Sequence, residues 1–315
     1  MYLRDAHFFA RSSLPIIGNR IGNLIVALIA VVALCGCGAV RIGYNNAPSL
    51  SYWFLDGYFD FDSAQTLRVK SDLQTVHDWH RKEELPKLAS IAIYLKTRAL
   101  QDITGEPLCQ ASTDLQLRVV TTLEQMAPTL AAVAPTLTDA QLQHMAAKAE
   151  KSQTEWREDY LDGTVAERNE RRVKRSVERT EMFYGRLRPE QVELIRKQIR
   201  ASAYDPDAMY REKLRRTEDM LQVLRQIRTA NGTGAQAPAQ VQTQVQAQGA
   251  VVALLQRSIV SPDPIYRQNM ARLTQQGCTA LAELHNTMTA QQRRSLQETL
   301  QDYENDIRVL MGTRP

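Results

Sequence analysis

Hydrophobic positions along this chain follow two patterns. Ile21 to Leu34 is an apolar run in which Asn23 is the one polar residue. From Asp62 onward apolar residues recur three or four apart, the period of a helix with one buried face. Asp62 or Ser63 caps the first such helix, whose stripe is Val69, Leu73, Val76 and His80. Pro86 interrupts or kinks it, and Leu85, Leu88, Ala92, Leu95 and Ala99 carry the stripe on to Ile103. Thr104-Gly105-Glu106-Pro107 reads as a loop, and Ala111 to Ala134 as a helix bent or broken at Pro128. Thr138 caps a helix buried through Leu142, Met145, Ala149, Trp156 and Tyr160. After Gly163, Thr164 and Glu167 form a capping box for a charged helix ending near Gly185. Leu187-Arg188-Pro189-Glu190-Gln191 restarts the chain, and Pro206 opens a helix carrying Leu214, Leu221 and Leu224.

The Gly, Ala, Gln, Pro, Thr and Val residues of 231–249 include no charge and read as a flexible linker. A helical piece at 250–260, a loop at Pro262 and Pro264, and a helix over 265–284 follow. The last helix starts near Thr289 and shows Leu296, Leu300, Tyr303, Ile307 and Leu310. No segment alternates as a strand would. The expected fold is all-α, an elongated antiparallel helical bundle.

The apolar run has the layout of an export signal. Arg4, Arg11 and Arg20 precede it, and it falls short of the roughly 20 residues a membrane-crossing helix needs. It closes on Leu34-Cys35-Gly36-Cys37, which reads as a lipobox. Small Gly36 suits a peptidase site, and the Cys37 thiol is the nucleophile that takes the lipid. Cys37 would then be the first mature residue, and its covalent lipid the only prosthetic group expected. Gly38, where inner-membrane retention commonly uses Asp, points to the outer membrane, lipid-anchored and facing the periplasm. The alternative is an uncleaved signal anchor. The chain divides into a leader at 1–36, an anchor-proximal segment at 37–62, a main helical domain at 63–230, the linker at 231–249 and a C-terminal helical segment at 250–315.

Charge changes little. Loss of the leader removes three Arg and one Asp from 39 basic and 35 acidic residues, leaving 36 against 34, a net +2. That balance supplies no basic surface for nucleic acid, and none is expected as a partner. Two cysteines remain, Cys109 and Cys278, and an oxidising periplasm makes them a candidate disulfide. Aromatic residues crowd 44–61. Tyr44, Tyr52, Trp53 and Tyr58 suit a membrane interface, or alternatively the base of the bundle.

Candidate chemistry is sparse. His77, His80 and Glu84 stand one turn apart and would present three metal ligands on one helix face, although an HExxH glutamate is missing. Capping and packing are the commoner uses of such groups. Arg168, Arg171, Arg172, Lys174, Arg175 and Arg179 are interleaved with glutamates, the pattern of a solvated, salt-bridged helix. No nucleophile elbow or P-loop occurs.

Two resemblances add to this. Val40-Arg41-Ile42-Gly43-Tyr44-Asn45, Trp53-Phe54-Leu55-Asp56-Gly57-Tyr58, Asp60-Phe61-Asp62, His77, Trp79-His80-Arg81 and Glu84-Leu85-Pro86 resemble a family of uncharacterised Gram-negative lipoproteins. That resemblance implies the envelope location and a helical fold, without an activity. Leu137-Thr138-Asp139-Ala140-Gln141 and, with Met for Leu, Met288-Thr289-Ala290-Gln291-Gln292 resemble the L-T-x-x-Q helix starts of Spy/CpxP-like periplasmic stress chaperones; Leu187 to Gln191 lacks the Thr. The reading that results is a non-catalytic, lipid-anchored scaffold or binding protein with an envelope protein partner. The alternatives are a Spy/CpxP-like chaperone and a metal-dependent hydrolase.

Overall fold

The computed structural model describes the backbone of residues 38–231 and 237–312, and the side chains of 38–230 and 244–312. Cys37 and the leader before it lie outside the described residues. In chain order the helices are α1 (Ala39–Asn45), α2 (Ala47–Phe59), α3 (Ser63–Glu83), α4 (Leu85–Lys96), α5 (Gly105–Gln125), α6 (Ala127–Val133), α7 (Asp139–Tyr160), α8 (Val165–Tyr184), α9 (Pro189–Ala201), α10 (Pro206–Asn231), α11 (Ala237–Ile259), α12 (Pro264–Asn286) and α13 (Ala290–Leu310). A 3₁₀ turn, Ala134–Thr136, leads into α7. The described residues contain no strand, so the fold is an all-α bundle of long helices.

Most helix boundaries follow local chemistry. Pro86, Pro128, Pro189 and Pro264 stand in first turns, where the missing N–H removes no helical bond. Side chains of Asp62, Thr138, Thr164, Asp263 and Thr289 cap free N–H groups.

The buried apolar side chains form two cores. The first joins Tyr52 and Phe59 of α2, Val69 and Leu73 of α3, α6, Leu142 and Met145 of α7, Leu224 of α10 and Val251 and Leu254 of α11. The second joins Val173 and Tyr184 of α8, Leu187, Ile195 of α9, Leu284 of α12 and Met288. A reciprocal pair of glutamines stands at each core. In the first, Gln65 Nε2 donates to Gln141 Oε1 and Gln141 Nε2 donates to Gln65 Oε1, at 3.4 and 2.6 Å. Gln65 also donates to Thr136 O and Gln141 to Asp60 O. In the second, Gln191 and Gln292 exchange amide bonds at 3.0 Å each, while Gln191 donates to Thr287 O and Gln292 to Arg186 O. All four side-chain oxygens accept the backbone N–H of their own N-cap residue, Asp62, Thr138, Arg188 or Thr289. Every carbonyl reached across the pair lies two residues before the partner's N-cap. The packing repeats with the bonds: α2 lies on α7 and α3 on α6, as α8 lies on α13 and α9 on α12. The chain thus contains the same two-fold corner twice.

The α4–α5 hairpin joins the two corners. α4 packs on α3 and along α13, where Lys96 pairs with Glu304 and donates to Gln301 Oε1 at 2.8 Å. α5 packs on α12, and Cys109 is bonded to Cys278 with their Cα atoms 5.4 Å apart. Gly105 allows this approach, because a Cβ there would stand 3.1 Å from Thr279 N.

Two expected boundaries need correction. Residues 237–249 are the first half of α11, not linker. Ala and Gln are good helix formers, and Ala247, Val251 and Leu254 repeat at four and three and are buried. Among the described side chains of the stretch, Ala247 joins the first core. The segment after it accordingly packs on the main bundle, through α11 on α6 and α10, α12 on α5 and α13 on α4. The Thr104–Pro107 loop is also shorter than expected, since Gly105 to Pro107 already belong to α5.

Replacing Gln191, which is fully buried, with Ala takes the acceptor from the Arg188 N–H and one bond each from Thr287 O and the Gln292 amide. Urea unfolding should show a loss of roughly 2–4 kcal/mol, with a coupling of about 1–2 kcal/mol in a double-mutant cycle with Gln292→Ala. Cys109→Ser opens a loop of 169 residues and should cost about 4–5 kcal/mol by chain entropy. A reductant should shift the gel mobility of the parent chain and leave that of the variant unchanged.

Candidate functional site

Five of the residues that carry the lipoprotein resemblance, Tyr44, Asn45, His77, His80 and Arg81, meet where α1 contacts α3. Tyr44 stands at the centre. Its hydroxyl shares a 2.9 Å hydrogen bond with His80 Nδ1, and its carbonyl oxygen accepts from His77 Nε2 at 3.0 Å. The Tyr44 ring lies 4.7 Å from the His77 ring and 5.8 Å from that of His80. Arg81 donates to Asn45 Oδ1 at 2.7 Å with its guanidinium 5.5 Å from the Tyr44 ring centre. On the other side of α1, Arg41 pairs with Asp306 of α13 at 3.0 Å. Burial pushes the Tyr44 phenol up to about 12 and the His80 imidazole below its ordinary value, so both are neutral at pH 7.

Glu84 belongs to a different contact. It is fully buried, accepting from Lys87 at 2.6 Å and from Arg118 of α5 at 3.1 Å. A lone buried carboxylate would be very costly, and these two cations offset its desolvation. The suggested ligand set of His77, His80 and Glu84 is therefore split. The histidines hold α1, and Glu84 holds α5. Among the described residues no group of three His, Cys, Asp or Glu is placed to hold a metal ion.

Four of the arginines of α8 are also committed. Arg168 donates to Leu161 O and Gly163 O, and Arg171 to Asp159 O and Asp162 O, so both cover carbonyls around the end of α7. Arg172 reaches Ser202 Oγ at 2.7 Å and lies over Tyr204, while Arg175 lies over Tyr160. Their work is to join α7, α8 and the end of α9.

The four aromatic residues read as interfacial divide. Tyr52 is buried, with its hydroxyl 3.0 Å from Thr66 Oγ1, Tyr58 packs against the first core and Tyr44 faces α3. Trp53 alone points outward, 71% exposed. The reason is periodicity: Tyr52, Leu55 and Phe59 share the inward face of α2, and Trp53 lies off it.

Sequence reading missed a surface on α5. Leu115, Val119 and Leu123 form a stripe at four-residue spacing, all 40–58% exposed. Their spacing was visible in the sequence, but a buried and an exposed stripe have the same period.

A second Tyr–His pair lies in the other core. Tyr184 and His285 Nδ1 are 2.9 Å apart, and His285 Nε2 donates to Gln101 O at 2.8 Å. Burial lowers the His285 pKa from 6.5. The unfolded chain then binds more protons, so this contribution to stability is complete above about pH 6.5 and is lost as pH falls toward the folded value. Unfolding midpoints between about pH 7 and 5 should fall more steeply for the parent chain than for His285→Gln.

No curated protein and no solved structure matches the chain. A match to a family model covers residues 57–233 and takes in His77, Trp79-His80-Arg81, Glu84 and the charged α8. The chain belongs to that family, described as a family of unknown function (DUF6279).

Proposed function

We propose that this protein is a lipid-anchored envelope lipoprotein, attached through Cys37 to the outer membrane and facing the periplasm, that serves there as a non-catalytic scaffold for another envelope protein. One observation supports the scaffold reading above the others: the exposed, uncharged stripe of Leu115, Val119 and Leu123. Contiguous exposed apolar side chains on a folded protein mark contact surfaces. The stripe also sits on a braced helix, because α5 is fixed by the Cys109–Cys278 bond and the Arg118–Glu84 pair. A rigid surface loses little entropy when a partner covers it. The titratable groups that suggested a hydrolase have packing partners instead.

The test is photo-cross-linking in cells. A photoreactive residue at position 119 or 123 should give one discrete protein adduct, and one at Lys174, which is 77% exposed on α8, should give none. Cys37→Ser should release the protein from the membrane fraction and weaken the adduct severalfold. A broad smear of adducts would replace the scaffold by a holdase, and no adduct at either position would remove both.

A further inference from the structure

Between Ala39 and Phe59 the exposed positions are Ile42, Asn45, Asn46, Ser49, Trp53 and Gly57. Asn45 is taken by Arg81. The other five step by four, three, four and four, which places them on one side of a helix. α1 and α2 are joined with little interruption: Asn46 N donates to Ile42 O at 3.1 Å, and Leu50 N to Asn46 O at 3.0 Å. The stripe therefore runs along both. It carries no charge. The two ionic groups of this segment face elsewhere, Arg41 toward Asp306 and Asp56 toward the Phe61 N–H. Its large side chains are Ile42 and Trp53, 66% and 71% exposed. Beside Trp53 a groove of about 250 Å³ runs between α2 and α7, lined by Leu50, Phe54 and Tyr58 and edged by Lys148, Lys151 and Glu155, with Lys151 3.9 Å from Glu155.

We propose that this face of α1–α2 lies on the bilayer, with Ile42 and Trp53 entering the headgroup–acyl boundary and Lys148 and Lys151 meeting the phosphates of anionic phospholipid. The inference rests on the reading of Cys37 as the acylated residue. That reading supplies the occupant: α1 begins two residues after Cys37, and Trp53 lies about 20 Å along the helices from that point. A face this close to an anchored lipid meets the membrane before any other surface. An uncharged face crosses into the interface without desolvating an ion, and an indole, apolar with one polar N–H, is stable there. Lys148 adds attraction to an anionic surface, and Lys151 adds what its pairing with Glu155 leaves it. The body is then held in one orientation and does not swing from a single point.

The experiment uses the chain purified from membranes and reconstituted in phosphatidylethanolamine–phosphatidylglycerol vesicles, with and without bromine on the acyl chains. The chain has three tryptophans, and Trp156 is buried. Brominated lipid should quench about a third of the emission, Trp53→Phe should abolish that quenching, and Lys148→Glu with Lys151→Glu should reduce it at least twofold. Trp53 is exposed, so its replacement leaves the fold intact. Equal quenching in parent and Trp53→Phe chains, or none while the chain floats with the vesicles, overturns the proposal. Protection of Trp53 from acrylamide in native envelopes without quenching by brominated lipid also overturns it, in favour of a protein cover. The mass of the Cys37 peptide reports the anchor separately. If no acyl group is found, vesicles added to the chain in solution still decide the matter: quenching sustains the docking face without the anchor, and its absence overturns the docking face along with it.

Discussion

The reciprocal glutamine pair is the interaction on which this fold turns. A primary amide has one acceptor oxygen and two donor hydrogens, and each buried glutamine here uses both kinds. The oxygen closes its own helix start. The nitrogen reaches the other glutamine and the loop before the other helix. One side chain thereby fixes a helix terminus, a neighbouring terminus and the loop leading into it. Such a group admits no simple replacement: Glu brings a charge, Leu satisfies nothing, and Asn is too short. The strength lies in the network, because removal of any member breaks its bonds to at least three other residues at once.

The L-T-x-x-Q helix starts thus have a structural explanation within this chain. The Thr or Asp caps, the residue before it enters a core, and the Gln joins two corners. Where Arg188 replaces the Thr, Gln191 still closes the N-cap backbone and still finds Gln292. The glutamine is the part of the motif that the pairing requires.

Much of this fold was legible in the sequence. Thr138, Thr164 and Thr289 mark their helices by local chemistry, and the stripes through Leu142 and Met145 or Leu300 and Leu310 lie where periodicity puts them. The rest depends on distant contacts. Phe61-Asp62-Ser63-Ala64-Gln65 is the fourth copy of the glutamine start, yet with Phe and Asp in place of Leu and Thr it reads as an ordinary cap. Nothing local says that Gln65 faces Gln141 or that Gln191 faces Gln292. The same limit applies at the candidate site. His77, His80 and Glu84 share a helix face by spacing, but the neighbours that α1 and α5 bring, Tyr44 and Arg118, decide their roles. Absence of charge was ambiguous in its own way: it suits a linker and an uncharged helix alike, and the packing of Ala247 tells which this is.

The double attachment of α1 has a mechanical consequence. Tyr44 binds it to α3, and Arg41 binds it to α13, which lies far along the chain. A force pulling on the first described helix is divided between these two seams. Hydrogen bonds loaded together resist rupture better than bonds opened one after another. Tension entering at α1 therefore passes to α3 and α13 together, and α1 need not peel away before the body follows.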